Sequence, residues 1–331
     1  MDPRIVRCVG GIGGLAALAA SIVALTGCAS AHAASPLRAP SASAAVVTAA
    51  EGCRSPAASG TSMLSIQVGD RVRTARLHVP RGYRPERAVP LVVNLHGSGS
   101  TAAGQAAASR MDGTADTYRF LVAYPQGLRR SGSGYGWNVP GTPTWQAAGP
   151  DEGAYLRRLV ATIQERYCVD PRRIYGVGFS GGAREVSQVA CEPDQLFAAV
   201  AAIGGLRAPT PCPAGPVAVL GIHGSADPQN PYDGHGAGYW TYSVPEAARR
   251  WAVHNGCSGA PTTTPVPGGT WTTYPGCAGS TAVELYTLAG KGHGWPAARP
   301  GEFPANEVIW RFFAAHPLHP DPRLSRAVTG S

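Results

Sequence analysis

The sequence predicts one α/β domain: a mostly parallel central sheet flanked by helices on both faces. Three observations predict it. The chain has 331 residues, 44% of them hydrophobic and only 15% charged, a composition that builds a core and fits a single large domain. Short, continuous apolar runs recur along it, as strands buried on both faces of a parallel sheet require. Stretches with helical spacing lie between several of these runs, which is the alternation of strand and crossover helix. No internal repeat is present.

The elements follow in order. Residues 63–68 and 71–79 alternate apolar and polar side chains around Gly69-Asp70, an N-terminal β-hairpin signal. Residues 91–95 form the first continuous apolar run, closed by Gly97. Residues 120–123, 174–177, 197–203, 217–222 and 282–288 repeat the pattern. Helical spacing appears over 154–167, where Leu156, Leu159, Val160 and Ile163 share a face. Residues 183–191 can also be helical. A further helix is expected over 245–254, with Ser243 as cap and Pro245 in the first turn. The last covers 306–315, with Val308, Ile309, Phe312 and Phe313 inward. No long insertion reads as a large lid.

The amino terminus reads as an export signal. Arg4 and Arg7 precede an apolar stretch over 9–26, and Leu25-Thr26-Gly27-Cys28 resembles the lipobox of bacterial lipoproteins, where the cysteine is lipidated. Two acyl chains on Cys28 would anchor the chain stably. The competing expectation is secretion after cleavage at Ala31-His32-Ala33. The organisation is therefore a signal over 1–28, a flexible Ala/Ser/Pro tether over 29–50, a catalytic domain over 51–317 and a disordered tail over 318–331.

Charge excludes some partners. The net charge is +8 and Lys291 is the only lysine. The arginines are scattered, with no run longer than pairs such as Arg129-Arg130, so they read as solvated surface and no nucleic-acid partner is expected. Beyond a lipid anchor no membrane contact is expected, and a monomer is. Setting Cys8 and Cys28 aside leaves Cys53, Cys168, Cys191, Cys212, Cys257 and Cys277. An even number in an exported chain suggests disulfides, and six cysteines allow fifteen connectivities. The expected one joins Cys257 to Cys277, Cys191 to Cys212 and Cys53 to Cys168. No C-x-x-C occurs, so no metal or redox site is expected.

The chemistry centres on Gly178-Phe179-Ser180-Gly181-Gly182. Chance alone supplies about 0.4 matches of G-x-S-x-G in so glycine-rich a chain. Position adds the specificity: the motif follows an apolar strand and precedes a helical stretch, the strand–turn–helix that a nucleophile elbow needs. The turn would set the Ser180 hydroxyl at a helix amino terminus, where developing negative charge is favoured. A capping serine in a glycine-rich loop is the plain alternative. His96-Gly97-Ser98-Gly99-Ser100 ends the 91–95 strand and offers the loop that supplies a second oxyanion donor. The donors expected are the N–H groups of Ser98 and Gly181. Asp227, in the loop after 217–222, is the expected acid, with Asp233 in reserve. His293, flanked by Gly292 and Gly294 after the last strand, is the expected base. The order Ser180, Asp227, His293 is the α/β-hydrolase order. Trp137, Trp145 and Trp295 are candidates for an aromatic or sugar platform, with core packing an equal reading for the first two. His96 is a candidate at the substrate, though support beneath its own loop is the stronger reading.

Several stretches together carry a resemblance: Asn94-Leu95-His96-Gly97, Tyr124-Pro125-Gln126-Gly127, Trp137-Asn138, Tyr167-Cys168-Val169-Asp170-Pro171, His223-Gly224-Ser225-Ala226-Asp227 and Gly292-His293-Gly294-Trp295-Pro296, beside the serine motif. With them the chain resembles the esterase/polyhydroxybutyrate depolymerase family over about 52–316. Relatives include feruloyl and acetyl-xylan esterases of carbohydrate esterase family 1 and bacterial lipoprotein esterases. One departure is Gly181, where many members carry Asn or Ala; the N–H donor is kept. The resemblance implies an α/β-hydrolase fold, no metal, no organic cofactor and an ester substrate, polymeric esters included. A generalist short-chain carboxylesterase and a non-catalytic surface lipoprotein that binds through the same fold are the competing expectations.

Overall fold

The structure is a computed structural model and describes residues 53, 58–143, 145–296 and 302–318. The signal, Cys28, the tether and the tail beyond Leu318 lie outside the described residues.

The chain opens with β1 (Gly60–Val68) and β2 (Arg71–Val79), an antiparallel hairpin turning at Gly69-Asp70. Gly69 adopts φ +56, the left-handed conformation such a tight turn needs. β3 (Val89–Leu95), α1 (Ala102–Ser109), α2 (Met111–Tyr118) and β4 (Leu121–Pro125) follow. A small separate hairpin, β5 (Arg129–Ser131) and β6 (Gly134–Gly136), precedes α3 (Glu152–Arg166) and β7 (Val169–Phe179). Then come α4 (Gly181–Val189), β8 (Ala199–Ile203), β9 (Ala218–Gly224) and α5 (Val244–His254). The chain closes with β10 (Thr262–Val266), β11 (Gly269–Tyr274), β12 (Val283–Leu288) and α6 (Ala305–Ala315).

Ten strands form one sheet in the order β1-β2-β4-β3-β7-β8-β9-β12-β11-β10. The strands from β4 to β12 in that order run parallel to their neighbours, and antiparallel hairpins close both edges. Side chains alternate across it. Leu91, Val93 and Leu95 face one core with the inward residues of α3, α4 and α5, while Val92 faces a second core with those of α1, α2 and α6. This two-sided burial explains the unbroken apolar runs. Each fully buried Val or Leu contributes about 1.5–3 kcal/mol.

Three disulfides join Cys53 to Cys168, Cys191 to Cys212 and Cys257 to Cys277. α3 starts two residues before the expected 154 because the Asp151 side chain accepts from Ala154 N at 2.8 Å and caps the helix there. α1, α2, β5, β6, β10 and β11 carry too few large apolar residues to stand out in the sequence.

Candidate active site

The ends of β3, β7, β9 and β12 bring the candidate residues to one edge of the sheet. β7 ends at Phe179, and Ser180 makes the turn into α4 with φ 52 and ψ −112. A non-glycine residue there is strained. The flanking glycines make the turn possible: a Cβ on Gly178 would collide with the Gly182 carbonyl, and one on Gly182 would lie 2.5 Å from Leu95 O. Ser180 N–H donates to Ile203 O at 2.9 Å, which ties the turn to β8.

The loop after β3 faces this turn. Ser98 N lies 3.1 Å from where a Gly181 Cβ would be. No hydrogen bond within the fold uses the Ser98 or Gly181 N–H among the described residues. The loop is held from below. His96 Nε2 accepts from Gly127 N at 2.9 Å, and Trp137 Nε1 donates to His96 O at 2.7 Å. Gly99 N–H donates to Tyr135 O at 2.8 Å, which docks the loop on β6. His96 is fully buried and Trp137 is 2% exposed, their rings 4.9 Å apart. Both rings are buried and hold the loop through these hydrogen bonds, the supporting role that the sequence favours for His96. Burial pushes the His96 imidazole down to about 4, outweighing its bond to Gly97 O, and Arg73 lowers it further.

Asp227 follows β9 and is 4% exposed. Oδ1 accepts the N–H groups of Gln229 at 2.8 Å and Asn230 at 2.9 Å. Oδ2 meets His293 Nδ1 at 2.6 Å and His223 Nε2 at 3.3 Å. Burial pushes the carboxyl up, but the bonds from His223, His293, Asn230 and Gln229 prevail and hold it well below the usual carboxylate range. Asp233 is exposed and binds His235 N, so the reserve acid is not at the site. His293 follows β12, its ring 4.8 Å from that of Phe179. Both border Gly204, beside the serine turn. No hydrogen bond joins Ser180 to His293 in this structure.

Two residues had no role assigned from the sequence. His223 shares Asp227 Oδ2 and donates Nε2–H to Asn230 O at 2.9 Å. Asn230 also donates from Nδ2 to Gly204 O at 2.6 Å, which links the acid loop to the strand end beside Ser180. The signal was available in Asp227-x-x-Asn230: an aspartate accepting backbone N–H groups two and three residues on is an Asx turn.

A cavity of about 780 Å³ opens beside His293. Ile203, Ile222, Leu288, Trp295 and Phe303 line it, and the β10–β11 turn at Pro267-Gly268 closes one side. Trp295 is therefore at the site, its indole N–H donating to Asn306 Oδ1 at 3.1 Å. Trp145 is 45% exposed and does not border this cavity.

The esterase PHB depolymerase family matches over residues 74–210. NocK of Nocardia uniformis subsp. tsuyamanensis, described as an esterase, is 30% identical, covering 88% of this chain and 90% of that protein. Poly(3-hydroxyalkanoate) depolymerase C of Paucimonas lemoignei is 30% identical over 66% of this chain and 58% of its own length. Feruloyl esterase B of Piromyces equi is 28% identical over 65% of this chain and 41% of its length. The chain thus spans about half the length of these last two. Among solved structures, an acetyl xylan esterase from Aspergillus awamori superposes with TM-score 0.56 at 18% identity, covering 77% of this chain and 99% of that one. LpqC, a poly(3-hydroxybutyrate) depolymerase from Bordetella parapertussis, gives 0.51 at 20% identity over 84% and 97%. At such identity these two report the α/β-hydrolase fold alone.

Proposed function

We propose for this chain, which belongs to the esterase PHB depolymerase family, that it hydrolyses carboxylic esters by acyl transfer to Ser180. The observation that carries this reading is the Ser180 backbone, held in the left-handed region at the start of α4. Strain of this kind persists only where the surroundings enforce it, and it clusters at functional sites.

The steps follow from the geometry. Asp227 fixes His293 with Nδ1–H toward the carboxylate, leaving Nε2 as the proton acceptor. His293 takes the Ser180 proton and the alkoxide attacks the ester carbonyl. The Ser98 and Gly181 N–H groups receive the oxyanion, and the loss of one such donor costs about 3 kcal/mol of barrier. His293 then protonates the leaving alcohol, and later activates water to release the acid from Ser180. The apolar cavity at Trp295 would hold the body of the substrate. Feruloyl or acetyl esters on polysaccharide and short polyhydroxyalkanoates are the substrate classes we favour, in line with the relatives' names. An exported location is supported by the three disulfides, and the lipid anchor at Cys28 rests on the sequence motif.

Fluorophosphonate labelling tests the reaction. Ser180 should be labelled, and Ser180→Ala should abolish both label and hydrolysis; retained activity in that variant would sink the reading. A panel of methyl ferulate, acetylated xylan, p-nitrophenyl acyl esters and polyhydroxybutyrate then separates the substrate classes.

A further inference from the structure

The nucleophile helix carries a charge that the triad does not use. Arg184 lies one turn beyond Ser180, its N–H donating to the Ser180 carbonyl at 3.1 Å. It is 7% exposed. Its guanidinium has two weak partners: Nη1 donates to Asn230 Oδ1 at 3.3 Å, and the group sits 5.1 Å over the Tyr239 ring. Nε is buried with no partner, and no carboxylate among the described residues pairs with it. A buried guanidinium without a counter-charge is costly to keep in the fold. Burial pushes its pKa down, and the neighbouring Arg207 pushes the same way.

Arg207 also has no carboxylate partner among the described residues, its Nη1 donating to the Tyr239 carbonyl at 2.6 Å. The two arginines line one groove of about 420 Å³ between residues 139–141, α4 and the stretch 207–213. The only carboxylate lining that groove, Glu192, is engaged with Arg157. The groove shares no lining residue with the cavity at His293.

We propose that this groove is an anion subsite beside the nucleophile, taking a carboxylate carried by the ester substrate. The inference rests on the esterase reading and narrows its substrate class to acidic esters. A guanidinium fork matches a carboxylate in geometry and charge, where a neutral ester leaves Arg184 unmatched. The distance is short: four residues of helix rise about 6 Å. Asn230 joins the two places, contacting Arg184 through Oδ1 and Asp227 through its N–H. On this proposal a carboxylate in the groove and an ester carbonyl at Ser180 belong to one molecule. A hydroxy acid oligomer with a free carboxyl end brings such a group, and so does an ester on a uronate-bearing polysaccharide.

The test compares kcat/KM within matched pairs on the full chain. One pair is the 3-hydroxybutyrate trimer and its methyl ester. The other is acetylated xylan with and without glucuronate side groups, and p-nitrophenyl butyrate reports esterase activity without charge. The wild type should favour the acidic member of at least one pair about tenfold, the scale of one charge-assisted hydrogen bond. Which pair shows the preference identifies the source of the carboxylate. Added salt should shrink it. Arg207→Glu places a carboxylate beside Arg184 and should remove the preference; Arg207 is half-buried, so the result does not depend on replacing the deeper Arg184. A wild type active on p-nitrophenyl butyrate but indifferent to charge in both pairs overturns the subsite alone. So does a preference that survives Arg207→Glu. Inactivity on every ester overturns the esterase reading and the subsite with it.

Discussion

Replacing Asp227 with Asn removes a counter-charge from a carboxylate that only donors approach. Oδ1 receives the N–H groups of Gln229 and Asn230, and Oδ2 receives His293 at 2.6 Å and His223 at 3.3 Å. An asparagine keeps one oxygen. If that oxygen stays with the turn, its NH₂ faces His293, which must then offer Nδ1 as a lone pair. Nε2 carries the proton in that tautomer and cannot accept one from Ser180. If the amide flips, its NH₂ opposes two backbone N–H groups, and each lost bond costs about 1–3 kcal/mol. The turn therefore selects the orientation that disables the base. The imidazolium formed during acyl transfer also loses its compensating charge. Together these effects should lower kcat about 10⁴-fold, or about 5.5 kcal/mol of barrier. The assay is kcat on p-nitrophenyl butyrate beside the rate of fluorophosphonate labelling, with a thermal melt to establish folding. A folded variant within tenfold of wild type in both rates would refute the assignment of His293 and Asp227.

Two further predictions address the loop after β3. Gly181→Ala should drive its new methyl group against Ser98 Oγ and to 3.1 Å of Ser98 N, moving one expected oxyanion donor. A fall in kcat of about tenfold is expected, with a smaller change in KM, and Ser98→Gly in the same chain should restore part of it by clearing Oγ; an unchanged kcat in Gly181→Ala would count against Ser98 as a donor. His96 titrates near 4 when folded, with burial the main cause, and near 6.5 when unfolded. Between those values the unfolded chain binds the extra proton, so this site's contribution is complete above about pH 6.5 and is lost as pH falls toward 4, by about 3 kcal/mol. Urea melts across that window should show His96→Gln with a flatter pH dependence than wild type, and identical slopes would remove His96 as the cause.

The sheet was legible where strands are buried on both faces. Residues 217–222 are apolar throughout and residues 91–95 at every position but the buried Asn94, as strands covered on both faces require. α1 and α2 were not legible because they are short and rich in Ala, Gly and Thr, joined directly through Arg110 in the left-handed conformation with no loop between them. β10 and β11 escaped for a different reason: an edge hairpin with Thr262, Thr263 and Thr264 in a row and Pro265 within it needs no apolar stripe. At the site, Ser180, Asp227 and His293 stood out through turn glycines and chain order. For His96 and Trp137 the sequence left two roles open, because an aromatic beside a motif can serve the substrate or support the loop, and burial is what separates the two. Asn230 and Arg184 act through a backbone N–H and an unpaired buried cation, properties that appear once neighbours are in place.

The disulfide from Cys53 to Cys168 sets how the domain would carry a mechanical load. β1 is an outermost strand, and a pull on its amino end would open its hydrogen bonds one pair at a time. Cys53 lies before β1, so tension arriving from the amino-terminal side reaches the sulfur bridge first. It passes to Cys168 and into β7, which has parallel partners on both sides. Those bonds must shear together, while the β1–β2 hairpin stays slack inside the closed loop. The force enters at one end of the eleven-residue β7, and Ser180 follows its other end. A domain stretched from its amino end would thus take the load at the far end of the strand that carries its nucleophile turn.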